Sequence, residues 1–314
     1  MAAGLGESVV LEDNSLSQKI KMIKNIIIGF VIVLLVGCAS QKDIPTQAHY
    51  LALLPENADI YLRFPVQENK ELAEQLVAAI APRTKEKDIQ KLTDRFAMIY
   101  GAVKNKEISA VASGSFPKIG LSFALKKKNG WIATKDASIP VTGKYYQYRN
   151  LPLQIAFPNS STMMAATQVT PLLESFQRLG NTPPLPAQSE LFGRFQELSS
   201  SQSIDFYTAD VMASLASFMS FGLSISLPVK DMYGSFIPTS TVAGDGSQLY
   251  AFNGYLGLPD SRALKPALVA LRILARTMGI NFSVSGQEGD TVIHVSDITI
   301  SQKSLAELIS KVVQ

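Results

Sequence analysis

DIYLRF, from Asp59 to Phe64, and SIDFYT, from Ser203 to Thr208, share one pattern: apolar and polar positions alternate, and a helical stretch follows each. A period of two marks a half-buried strand. It turns Ile60, Leu62 and Phe64 to a core and Tyr61 and Arg63 the other way. Around the first copy, Asn69 can cap a helix through Leu72, Leu76, Val77 and Ile80, which Pro82 ends. Ile89, Leu92, Phe96 and Ile99 give a second helix. Strands are predicted at Glu107 to Gly114, Ile119 to Lys126, Tyr145 to Tyr148, Leu153 to Phe157 and Thr162 to Ala166, with a helix from Thr170 to Arg178.

Around the second copy, strands are predicted at Asp231 to Val242, Gln248 to Leu258, Asn281 to Ser285 and Thr291 to Val295. Helices are predicted at Ser261 to Met278 and Ser301 to Val313. Between the copies, residues 180–188 (GNTPPLPAQ) carry three prolines and a glycine and read as a hinge. The expectation is an α+β fold in two similar halves, residues 51–179 and 189–314, each an antiparallel or mixed sheet covered by helices.

Composition supports a folded chain: of 314 residues, 46% are hydrophobic and 18% charged, enough apolar mass for two such halves. A net charge of +3, with no dense basic run beyond Lys126 to Lys128, leaves no footprint for nucleic acid.

Catalytic signatures are missing as well. No Gly-x-Ser-x-Gly elbow or phosphate-binding glycine loop occurs, and Asp245 with Gly246 reads as a turn. His49 and His294 are far apart, and His294 with Asp297 is the only local pair that could begin a metal site. The sequence gives no reason to expect an enzyme, a metal or a cofactor.

Cys38 is the single cysteine, so no internal disulfide framework exists. Ahead of it come basic residues 19–24 (KIKMIK) and an apolar run, Ile26 to Val36, of signal-peptide length. Met22 would open a more ordinary signal than the polar residues before it. The sequence Leu35, Val36, Gly37, Cys38 resembles the bacterial lipobox. That resemblance implies export as residues 1–37, cleavage before Cys38, and diacylglyceryl and palmitate-like chains on it, followed by a polar tether over residues 38–50. Two or more acyl chains make a durable membrane anchor, where one gives only reversible binding. Ala39, rather than Asp, after the cysteine points to the outer membrane, facing the periplasm. The alternative is an uncleaved helix over Ile20 to Val36, which is short for a span.

Two segments could meet lipid. From Asp210 to Phe221, helical spacing puts Val211, Leu215, Phe218 and Met219 on one side. From Ser261 to Met278, Arg262, Lys265, Arg272 and Arg276 share a sector opposite Leu264, Leu268, Leu271, Ala275 and Met278, with no acidic residue. Basic amphipathic helices of this kind lie in membrane interfaces. The plainer reading, which the need of any surface helix for a polar face favours, is that each covers a sheet with its polar face in water. With the lipobox, the repeated halves, the proline hinge and these helices, the chain resembles the treponemal outer-membrane-associated lipoproteins. What the resemblance implies is a non-enzymatic protein whose helices insert into the membrane and perturb it. The other expectation is a periplasmic module whose cleft between halves takes lipid, a hydrophobic ligand or an envelope protein.

Overall fold

The structure, a computed structural model, describes residues 50–80, 85–105, 107–117, 125–127, 130–135, 144–149, 152–178, 185–197, 202–211, 227–278 and 282–312. The expected signal peptide, Cys38, the tether with His49, the strand residues before Leu125 and most of the hinge lie outside these residues.

In chain order the elements of the first part are β1 (Ile60–Pro65), α1 (Lys70–Ile80), α2 (Glu86–Thr93), β2 (Phe96–Lys104), β3 (Glu107–Gly114), β4 (Trp131–Lys135), β5 (Lys144–Tyr148), β6 (Gln154–Ala156), β7 (Thr162–Ala166) and α3 (Thr170–Arg178). There follow α4 (Glu190–Glu197), β8 (Ile204–Thr208), β9 (Asp231–Val242), β10 (Gln248–Gly257), α5 (Leu264–Met278, entered through a 3-10 turn at Ser261–Ala263), β11 (Ser283–Ser285), β12 (Val292–Ser301) and α6 (Gln302–Val312).

The two repeated strands pair with each other. Ile60 lies opposite Thr208, Tyr61 opposite Tyr207, Leu62 opposite Phe206 and Arg63 opposite Asp205, antiparallel. From this seam a sheet extends both ways, twelve strands among the described residues, in the order β11-β12-β10-β9-β8-β1-β2-β3-β7-β6-β5-β4. The fold is therefore α+β, as expected, but one antiparallel sheet runs through both halves where a sheet in each was expected. Reading outward from the seam, β1-β2-β3-β7 on one side corresponds in order to β8-β9-β10-β12 on the other.

Both faces of the sheet centre are covered, which corrects the half-buried reading of β1. On one face Leu62, Phe64, Phe206, Phe236 and Phe252 pack with Leu72 and Ala73 of α1, Leu92 of α2, and Leu305 and Ala306 of α6. On the other, Tyr61, Tyr100, Tyr207 and Tyr233 pack with Leu172 and Leu173 of α3 and Phe192 and Phe195 of α4. Tyr61 and Arg63, assigned to the polar side, are both 0% exposed. Each fully buried large apolar side chain contributes ~1.5–3 kcal/mol, so covering the second face adds substantially to stability.

The second predicted helix stops at Thr93; Phe96 and Ile99 belong to β2 instead. A register shift against β3 between Phe96 and Met98 is the cause. A bulge makes two residues oppose one, so side chains three apart share a face and mimic helical spacing. Asn69 sits directly before α1 and its backbone carbonyl accepts from the Ala73 N–H at 2.9 Å, but its side chain does not cap the helix. Oδ1 makes no hydrogen bond among the described residues, and the amide nitrogen instead donates to the carbonyls of Pro65 and Gln202, both at 2.9 Å, tying the β1 exit to the approach to β8. Asp245 and Gly246 (φ 80) do form the β9–β10 turn.

Candidate functional site

Asp260 starts the segment that carries the basic face. Its Oδ1 accepts from the backbone N–H groups of Arg262 (2.8 Å) and Ala263 (3.2 Å), satisfying donors that a helix start leaves open. From there Ala263, Leu264, Ala267 and Leu271 are buried against Met232, Leu256, Ile293 and Val295, with Leu268 half-buried beside them. The apolar side of α5 therefore lies on the sheet. Arg262, Lys265, Arg272 and Arg276 are all exposed on the outside, the sector predicted for them.

Sequence periodicity did not single out two further members of that outer surface. Val269 and Ile273 are 54% and 52% exposed, one helical turn apart, among the cations. Single exposed aliphatics are ordinary, but a pair flanked by cations on one helix face resembles an interfacial surface. Lys265 makes only a 3.4 Å contact with Glu288, both nearly fully exposed, which contributes little and leaves the face cationic.

Of the other predicted contact segment, Val211 is described. It is 2% exposed and packs in the same cluster as the underside of α5, together with Leu227. Leu215, Phe218 and Met219, like Cys38, lie outside the described residues. No helix among the described residues is long and apolar enough to cross a membrane.

A cleft of about 380 Å³ opens on the sheet face opposite α5. Glu190, Arg194, Tyr255, Gln287, Asp290 and His294 are among its lining, so it lies within residues 189–314 and is polar. The Arg194 guanidinium is 2.8 Å from Glu190 and lies over the Tyr255 ring at 4.9 Å. His294 stacks on the same ring at 4.7 Å. Asp297, the local partner considered for His294, has φ 64 and sits where β12 slips against β10. The described residues hold no group of three His, Cys, Asp or Glu placed to bind a metal ion.

The buried polar centre lies at the seam. Arg63 Nη1 is 2.8 Å from Asp205 Oδ2, with both side chains 0% exposed. Asp205 also accepts from the hydroxyls of Ser203, Tyr233 and Ser235. Burial raises the Asp205 carboxyl above its ordinary range, while the Ser235 hydroxyl, Arg63 and the other two hydroxyls draw it back. Burial also pushes the Tyr100, Tyr207, Tyr233 and Tyr250 hydroxyls up to about 12. Among the described residues this pair is fully buried and ties β1 to β8.

A model of the family described as "Outer membrane-associated lipoprotein TP0453" matches residues 45–306. The chain belongs to this family. Outer membrane protein TP0453 of Treponema pallidum (strain Nichols) is 26% identical over 268 residues, covering 83% of this chain and 84% of that protein. The solved structure of crystal form III of TP0453 is similar with a TM-score of 0.62 at 21% identity, covering 86% of this chain and 99% of that one. Crystal form I gives 0.58 at 22% identity, covering 86% and 98%. At this identity the TP0453 structures establish the fold.

Membership in the TP0453 family makes the chain a membrane-associated lipoprotein of the outer membrane, the lipid-anchored location expected from Cys38. The family is named for that association and not for a reaction. Within it, the features found only through the structure are the Arg63–Asp205 pair, the Val269 and Ile273 pair, and the polar cleft. Arg63 and Asp205 each occupy a polar position of an alternating strand, so nothing local in the sequence marked them as partners. The cleft had no local signal.

Proposed function

We propose that this protein is a non-enzymatic lipoprotein, held by lipid on Cys38 to the periplasmic side of the outer membrane, that presses α5 against anionic headgroups and perturbs the leaflet. The observation that carries this reading is the outer face of α5, where Val269 and Ile273 stand exposed among Arg262, Lys265, Arg272 and Arg276. Near an anionic surface each cation contributes about 1 kcal/mol, enough together to hold a tethered domain in one orientation.

Deep insertion through Leu264, Leu268 and Leu271 would require lifting α5 from the sheet. That exposes Leu264 and Leu271, now 5% and 6% exposed, at ~1.5–3 kcal/mol each. Interfacial contact through the outward face needs no such step, and insertion follows only where lipid replaces the sheet as the apolar partner. The segment with Val211, Leu215, Phe218 and Met219, which enters the same cluster at Val211, is the second element proposed to join it. The corresponding strand orders on the two sides of the β1–β8 seam support two copies of one α+β unit as the scaffold.

Co-sedimentation with liposomes and dye release, using protein without lipid on Cys38 at neutral and acidic pH, test the reading. Binding that rises with anionic lipid and falls with salt is expected. Inert behaviour at both pH values sinks it.

A further inference from the structure

Three rings form a row on the sheet face away from α5. Tyr233 on β9, Tyr255 on β10 and His294 on β12 stack at 5.9 and 4.7 Å, within 13° and 25° of parallel. Register sets the row, since Tyr255 lies opposite Tyr233 on one side and His294 on the other. The next position outward, opposite His294, is Ser285 on β11, which is too small to continue the stack. The row therefore ends in the polar cleft, and we propose that a neutral saccharide ring binds there, occupying the place beyond His294 that Ser285 leaves open.

The lining narrows the ligand chemistry. Glu190 and Asp290 outnumber Arg194, whose guanidinium is already engaged by Glu190 and by the Tyr255 ring, so a phosphate or carboxylate would meet net negative charge. Val292 is the one aliphatic side chain in the lining, too little to hold an acyl chain. A neutral polyol ring has what the site asks for: an apolar C–H face to lie on an imidazole, and hydroxyls at its rim. Partners for those hydroxyls are in place. The side chains of Ser285, Gln287, Thr291 and His294 make no hydrogen bond among the described residues. The volume of about 380 Å³ falls within the ~300–1,000 Å³ usual for small-molecule sites.

Such a ring could come from a soluble glycan or from a glycolipid headgroup, and two arms of one experiment distinguish them. Full-length lipidated protein in nanodiscs is examined by saturation-transfer NMR with N,N′-diacetylchitobiose, with maltose, and with methylphosphonate as an anionic control. It is examined separately in nanodiscs containing a monoglycosyl diacylglycerol. Transfer to at least one sugar and none to methylphosphonate is expected. Binding should weaken about tenfold or more in His294→Ala, the equivalent of ~1.4 kcal/mol. Ser285→Phe, which fills the open place with a ring, should abolish binding in a folded protein. Arg272→Glu, on the other face of the sheet, should leave it unchanged, so loss of the membrane reading and loss of this one are separable. No transfer to any sugar in either arm, or transfer that survives both His294→Ala and Ser285→Phe, overturns the proposal.

Discussion

Arg63 and Asp205, 142 positions apart in the chain, meet at 2.8 Å across the seam between β1 and β8, with no part of either side chain exposed. Removing one member strands a charge. Asp205→Ala should therefore destabilise the protein by about 3–5 kcal/mol in urea titrations, because the guanidinium keeps its desolvation cost and loses its partner. Joint replacement, Arg63→Met with Asp205→Leu, should recover most of that loss. A double variant as unstable as Asp205→Ala would show that the pair itself, and not the orphaned charge, carries the stability.

Alkaline pH should weaken the fold over a defined window. The Tyr100, Tyr207, Tyr233 and Tyr250 hydroxyls are raised by burial from 10.0 to about 12. Below pH 10 these tyrosines are neutral in both states and the full stability is present. Above it the unfolded chain releases protons that the folded chain retains, so stability falls progressively toward pH 12. Denaturation midpoints measured across this range, with tyrosinate absorbance appearing together with unfolding, provide the check.

Charge reversal on α5 should separate membrane contact from stability. Lys265→Glu, Arg272→Glu and Arg276→Glu are changes at exposed positions, so thermal stability should move by only about 0.5 kcal/mol per site. Binding to anionic vesicles should fall by ~3 kcal/mol or more across the three, read by co-sedimentation at low salt. Val269→Ser with Ile273→Ser should weaken binding at high salt as well.

Gly114 marks a place where backbone geometry leaves no room. A β-carbon there would sit 1.9 Å from the carbonyl oxygen of Arg95, which accepts from the Ser115 N–H. Gly114→Ala should cost about 3 kcal/mol, since relief requires moving main chain beside the β2 bulge. An unchanged urea midpoint would show that this corner is looser than its packing indicates.

Cys38→Ala should abolish incorporation of labelled palmitate and shift the protein out of the membrane fraction. Retention by α5 alone should be partial and salt-sensitive, because interfacial charge is screened where acyl chains are not.

Most strands were legible because alternation is local: β3, β7 and β9 fall on the predicted residues. β2 was not, since its bulge places Phe96 and Ile99 at helix-like spacing. Tyr61 and Arg63 misled for a different reason. A polar residue in an alternating strand looks solvent-facing until its partner, Asp205, is known to arrive from the far half of the chain. α4, carrying Phe192 and Phe195, was missed behind the proline-rich stretch, and β4 with Trp131 was also missed. For the site, the α5 cations were readable from one helical period. The cleft was not, because Glu190, Tyr255 and His294 come together only through tertiary register.

The β1–β8 seam also governs the order of events when the protein is made. β1 is synthesised among the first folded residues, yet one of its edges has no partner until residues 204–208 have been delivered. A chain synthesised from its N-terminus must hold back an aggregation-prone strand edge while well over a hundred residues follow. Closure then depends on a long-range encounter, the slow class of folding event. With the lipid proposed on Cys38 in place, that waiting period would be spent at a membrane surface, so an open-edged intermediate would meet the membrane before the finished sheet exists.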